Sequence, residues 1–161
     1  MHSMIFQVTQ TKVDKDCYLN EDTLEQGDHA YFDYCMEIDE EERKFHIDNL
    51  VNNCLPKGMF ELVDDETMRY LGGAEKWEED FVAEIRRRAE DITPDKVKEW
   101  IGPVYQLGKF LKDPLDTGYW FYMDDEGLQS FAEQSYEFLR EISQLAPGTL
   151  LYIGGVVDYH I

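Results

Sequence analysis

TLLYIGGVVDYHI, Thr149 to Ile161, carries two apolar runs, LLYI and VVDY, on either side of Gly154-Gly155. Runs rich in β-branched and aromatic residues read as strands. Adjacent glycines permit the positive φ angles of a two-residue turn, so this segment predicts a C-terminal β-hairpin tied into a sheet. Outward from it, MIFQVTQTKV (Met4 to Val13) reads as a strand with Met4, Phe6 and Val8 on one face. YWFYM (119–123), AYFDYCM (30–36) and MFELV (59–63) are further strand candidates, and the polar stretch from Asn20 to Asp28 reads as a loop.

Helical patterns lie between these strands. Asp39 to Cys54 opens with four acidic residues, which the exposed amides of a first helical turn favour. Its predicted buried stripe is Phe45, Ile47, Leu50, Val51 and Cys54, and Pro56 and Gly58 end it. Ala74 to Asp91 places Trp77, Phe81, Ile85 and Ala89 four apart on one face. Its acids come early and Arg86, Arg87 and Arg88 late, so the arginine triplet is explained by the helix dipole. Thr93-Pro94 has the form of a helix start, for a helix that carries Val97, Trp100 and Ile101 and ends near Gly102-Pro103. A last long helix is expected from Asp125 to Ala146, using Leu128, Phe131, Phe138, Leu139 and Ile142. The fold class is α+β: one domain over residues 1–161, with a mixed, mainly antiparallel sheet. Three or four helices pack on one face, and a C-terminal β-hairpin completes it.

Charge bounds the function more tightly than any motif. The chain has 161 residues, with 35 Asp and Glu against 15 Lys and Arg, for a net charge of −20. Residues 1–66 carry −12 and residues 67–161 carry −8, so the acidity is no appended tail. Three Trp, nine Phe and ten Tyr provide a core and argue against disorder. Such a surface repels phosphate, which argues against direct nucleic-acid binding even by the aromatic run Tyr119 to Tyr122. Cys17, Cys35 and Cys54 are odd in number and form no CxxC pair, as expected of reduced thiols in a cytoplasmic protein. No signal-like start or membrane-length apolar run occurs.

Catalytic signatures are missing. Neither glycine pair has the spacing of a phosphate loop or dinucleotide fingerprint, and GxSxG and HExxH do not occur. Asp14 to Glu25 has acids at the first, third and twelfth places of a calcium loop, but Tyr18 and Leu19 stand where a ligand and a glycine are required. His29, Asp33 and His46 are the one grouping that chemistry allows for a transition metal, without the spacing that would fix a geometry. No metal or cofactor is therefore assigned. The leading expectation is a small acidic interaction module for a basic protein surface, in an inhibitor, immunity-type or nucleic-acid-mimic role. At the spacing of duplex DNA, about one charge per 1.7 Å, twenty charges span roughly 34 Å, comparable to a domain. The expected contact residues are Glu37, Asp39, Glu40, Glu41, Glu42, Asp64, Asp65, Glu66, Trp77, Glu78, Glu79 and Asp80. The alternatives are a hydrolase using carboxylates, with a metal near His29 and His46, and a self-associating domain with an exposed apolar patch.

Overall fold

A computed structural model describes residues 2–123 and 132–161. The expected C-terminal hairpin is instead one strand, β7, from Leu150 to His160. Neither Gly154 nor Gly155 is among the glycines with positive φ, so the pair makes no turn. Phe6 faces Val156 and Val8 faces Ile153, so the two glycines oppose the single residue Gln7. That is a β-bulge, in which one extra residue bends the strand and re-aims its side chains. Glycine is required at Gly155 because a Cβ there would run into the Leu19 backbone, whereas one on Gly154 would displace the Gln7 side chain.

β7 organises the sheet. Along one edge it pairs antiparallel with β1 (His2–Thr9). Its other edge is shared by two strands. β4 (Thr67–Tyr70) pairs with Leu150 to Tyr152, and β2 (Tyr34–Glu37) with Val157 to His160. β3 (Phe60–Asp64) extends the sheet beyond β4. β5 (Trp120–Tyr122) lies parallel to β1, and β6 (Glu133–Gln134) is antiparallel to β5. The sheet is thus mixed and mainly antiparallel, with β3-β4-β7-β1-β5-β6 as its main path.

Four α-helices accompany it among the described residues: α1 (Glu40–Asn49), α2 (Ala74–Glu90), α3 (Pro103–Lys112) and α4 (Ser135–Ile142). One face of the sheet presents Phe6, Val8, Phe121, Leu151, Ile153 and Val156. Ile47 of α1, Leu50 and α4's Phe138, Leu139 and Ile142 complete that core. The Phe121 and Phe138 rings stack with centroids 4.0 Å apart. α2 lies further out, where Phe81 meets Trp77, Phe110 and Tyr136. Among the described residues no helix is long and apolar enough to cross a membrane.

Several local expectations change. Phe45 points outward, 67 % exposed, because the inward stripe of α1 is Arg43, Ile47 and Leu50. Ala89 is likewise exposed on α2. The helix expected from Thr93 is a series of turns, and α3 begins only at Pro103, after Gly102 in extended conformation. That leaves Val97, Trp100 and Ile101 exposed, Trp100 by 89 %. α4 starts at Ser135 because Glu133 and Gln134 pair with β5; residues 124–131 of the longer helix lie outside those described.

Candidate protein-interaction surface

Among the described residues, no α-helix covers the second face of the sheet. Ile5, Val157 and Tyr159 point to it, and Leu19, Phe32 and Cys35 pack on them with the partly buried Leu24. Residues 14–38 form this layer, mostly as short turns. Polar side chains pin it where regular backbone pairing is absent. Gln7 Oε1 accepts from Leu19 N at 2.8 Å and Gly155 N at 2.9 Å. Asn20 and Thr23 form a reciprocal capping box around a single 3₁₀ turn. Gln26 Oε1 accepts from Cys35 N at 2.9 Å, and Asp33 meets His160 Nδ1 at 2.8 Å.

This layer and the start of α1 concentrate charge. From Asp14 to Glu42 there are twelve acidic side chains and one basic one, Lys15. Eleven of the twelve are exposed; Glu21 is half-buried. At the edge stands Arg43, only 4 % exposed. It occupies the gap between β2 and β4, donating from Nε to Gly154 O at 2.8 Å and from Nη2 to Ile153 O at 2.7 Å. Glu40 lies 3.1 Å and Glu66 3.3 Å from its guanidinium, and the Tyr18 ring lies beneath it. The guanidinium thus satisfies two buried carbonyls that no neighbouring strand reaches, and its own charge is balanced. Lys44–Asp65 at 3.4 Å and Lys12–Glu66 at 3.5 Å tie the same edge together. The Glu66 amide, donating at 3.0 Å, holds the Asp64 carboxyl below its ordinary range.

The expected contact residues therefore divide. Glu40 and Glu66 meet at Arg43, and Lys44 ties Asp65 to the same end of α1. Glu37 and the helix-capping Asp39 stand just before that helix. Trp77, Glu78, Glu79 and Asp80 lie elsewhere, on α2, whose early acids face Tyr70 at the other end of β4. Trp77 is partly buried against the helix-side core and stacks on Phe81, and Lys76 pairs with Asp80.

Within the acidic layer is a hollow of about 440 Å³, walled by Leu24, Glu25, His29, Tyr31, Phe32 and Trp120. Its rings stand edge-on to one another. Tyr31 meets Phe32 at 5.2 Å and 88°, Phe32 meets Trp120 at 5.9 Å and 89°, and Tyr31 meets Trp120 at 4.9 Å and 66°. Phe32 is buried, Trp120 half-buried and Tyr31 60 % exposed. Burial pushes the Tyr31 phenol above its ordinary pKa.

His29 lines this hollow, whereas His46 sits on α1 across the sheet, so the two share no site. Among the described residues no three His, Cys, Asp or Glu side chains gather as metal ligands. A separate cleft of about 300 Å³ between β1 and α4 holds Glu133, Glu137, Arg140 and Glu141. Burial, then the neighbouring Glu137, raises the Glu133 pKa, while Arg140 pairs with Glu137 at 2.6 Å and Glu141 at 3.0 Å.

No family model, curated protein or solved structure matches the chain. The reading therefore rests on the residues alone. The hollow escaped sequence reasoning because its walls come from three separated stretches, residues 23–32, Trp120 and Ala132. Arg43 escaped because a cation following Glu40, Glu41 and Glu42 reads as an exposed partner in helical ion pairs.

Proposed function

We propose that the protein is a small acidic interaction module that docks a basic surface of another protein onto its loop-covered face. The observation behind this reading is the charge of residues 14–42, twelve acids against one base, eight of the acids in the layer and four at the start of the adjoining α1. Unit charges 4 Å apart interact by about 1 kcal/mol in water and about 4 kcal/mol near a protein surface. Among the described residues most of these carboxylates form no ion pair, so a basic partner supplies attraction that the internal pairs do not already satisfy. Screening over about 8 Å at physiological salt makes this a contact force combined with fast, steered encounter. An inhibitor or immunity-type role and a nucleic-acid-mimic role both use such a face. The aromatic hollow adds side-chain recognition that a mimic of the phosphate backbone alone does not need.

The test is affinity capture from lysate on the immobilised protein at 50 mM salt, with elution by a salt gradient. Basic proteins should be retained and released below about 500 mM. A variant carrying Glu25→Gln, Asp28→Asn, Glu41→Gln and Glu42→Gln should bind the captured partner at least tenfold more weakly at an unchanged melting temperature. Failure to retain any basic protein at 50 mM would remove the reading.

One observation favours a second reading, self-association. Val97, Trp100, Ile101, Val104 and Tyr105 are all exposed around the turn before α3. Exposed apolar clusters of this kind mark interfaces. Sedimentation of the wild type and Trp100→Ser tests it: a dimer abolished by the substitution supports it, and a monomeric wild type at 100 μM, on the order of ordinary weak-dimer affinities, rejects it.

A further inference from the structure

We propose that the hollow between Tyr31, Phe32 and Trp120 receives an arginine side chain presented by the basic partner. This rests on the docking reading and names the contact at its centre. Three rings at steep angles to one another leave an open corner, in contrast to a parallel stack that would fill its own space. A cation placed in such a corner is attracted by the electron-rich face of each ring it lies over. The volume, about 440 Å³, lies within the range of pockets that enclose a small ligand.

The surroundings select for charge and for shape. Glu25 stands on the wall, exposed, and forms no ion pair among the described residues. Asp28 and Asp33 flank the same turn and are exposed as well. A neutral apolar side chain would leave this carboxylate unanswered. A lysine ammonium is strongly hydrated and loses more on entry, whereas the guanidinium is planar, weakly hydrated and stacks on rings. Leu24 provides apolar surface for the methylene stem, while the head reaches the Glu25 carboxylate.

The experiment titrates the wild-type protein with a blocked Gly-Gly-Arg-Gly-Gly peptide and with the same peptide carrying citrulline, its neutral isostere. The Trp120 indole N–H resonance, assigned by its loss in Trp120→Phe, is the readout. Saturable movement with the arginine peptide and none with citrulline is expected. Tyr31→Ala and Glu25→Gln should each weaken it about two- to fivefold, as expected for an exposed cation–π or ion-pair contact. Both residues are exposed, so neither variant should fail to fold. Equal movement with citrulline, or none with either peptide, overturns the proposal. A silent Trp120 signal in a protein that still captures basic proteins overturns this inference alone. A responsive signal beside no capture of basic proteins upholds the arginine site and overturns the docking reading.

Discussion

The two faces of the sheet share their strands and differ in what covers them. On one, Phe6, Phe121, Phe138, Leu139 and Leu50 meet as fully buried side chains under helices. On the other, a smaller apolar cluster lies beneath turns held by Gln7, Gln26 and Asn20. Stability concentrates on the first face because burial of apolar area is its largest favourable contribution. The second face is free to carry a charge load that would disrupt a helical core.

That division can be broken most directly in the cores. Phe138→Ala should cost about 3–5 kcal/mol in urea unfolding, whereas Leu24→Ala, half-buried on the loop side, should cost about 1 kcal/mol. Equal losses would mean that the loop layer bears weight like the helices. Arg43→Met comes next. It strands the Ile153 and Gly154 carbonyls and leaves Glu40 and Glu66 facing each other, for a loss of about 3 kcal/mol. Full stability in that variant would show that the sheet closes its gap without a guanidinium.

Gly155→Ala sharpens the contrast by attacking one face only. The added methyl collides with the Leu19 backbone, so the layer must shift, at about 1–3 kcal/mol. Hydrogen exchange should accelerate in residues 17–35 and remain slow in α4. Uniform acceleration would mean that the layer and the helical core open as one unit. The smallest effect concerns Cys35, beneath the layer. Burial, then Asp158 and Asp33, pushes its thiol from 9.0 up to about 11. The fold holds that proton more tightly than the unfolded chain does, so the contribution is intact below pH 9 and is lost as pH rises toward 11. At pH 8.5 iodoacetamide should modify exposed Cys17 and spare Cys35 until the layer opens. Equal rates for the two thiols would place Cys35 in solvent.

Much of the architecture was legible before the structure. Alternation in Met4 to Val8, the aromatic run before Met123 and the acid-to-base gradient of α2 each reflect burial or dipole effects local to one element. The misreadings share a different cause. Gly154-Gly155 advertises conformational freedom, but the reason for it, the Leu19 backbone against the strand, comes from about 135 residues away along a chain whose close approaches only glycine allows. Thr93-Pro94 promised a helix, yet the segment's apolar residues, Val97, Trp100 and Ile101, dock against no core and stay exposed. Of the expected contact residues, those on α1 and the β3–β4 turn share an edge because Arg43 and Lys44 gather them. Trp77 was drawn into packing by Phe81. Isolated acidic runs carry no record of which edge they will share.

β1 finds its long antiparallel partner only in β7. A ribosome makes roughly 140 residues between them, an interval on the order of ten to thirty seconds at ordinary synthesis rates. Throughout that interval Ile5, Phe6 and Val8 sit on a strand without its main neighbour, a target for chaperones and for misassociation between nascent chains. The loop layer waits as well, because its seats on Val157 and Tyr159 belong to β7. The layer therefore cannot settle until translation has passed the glycine bulge.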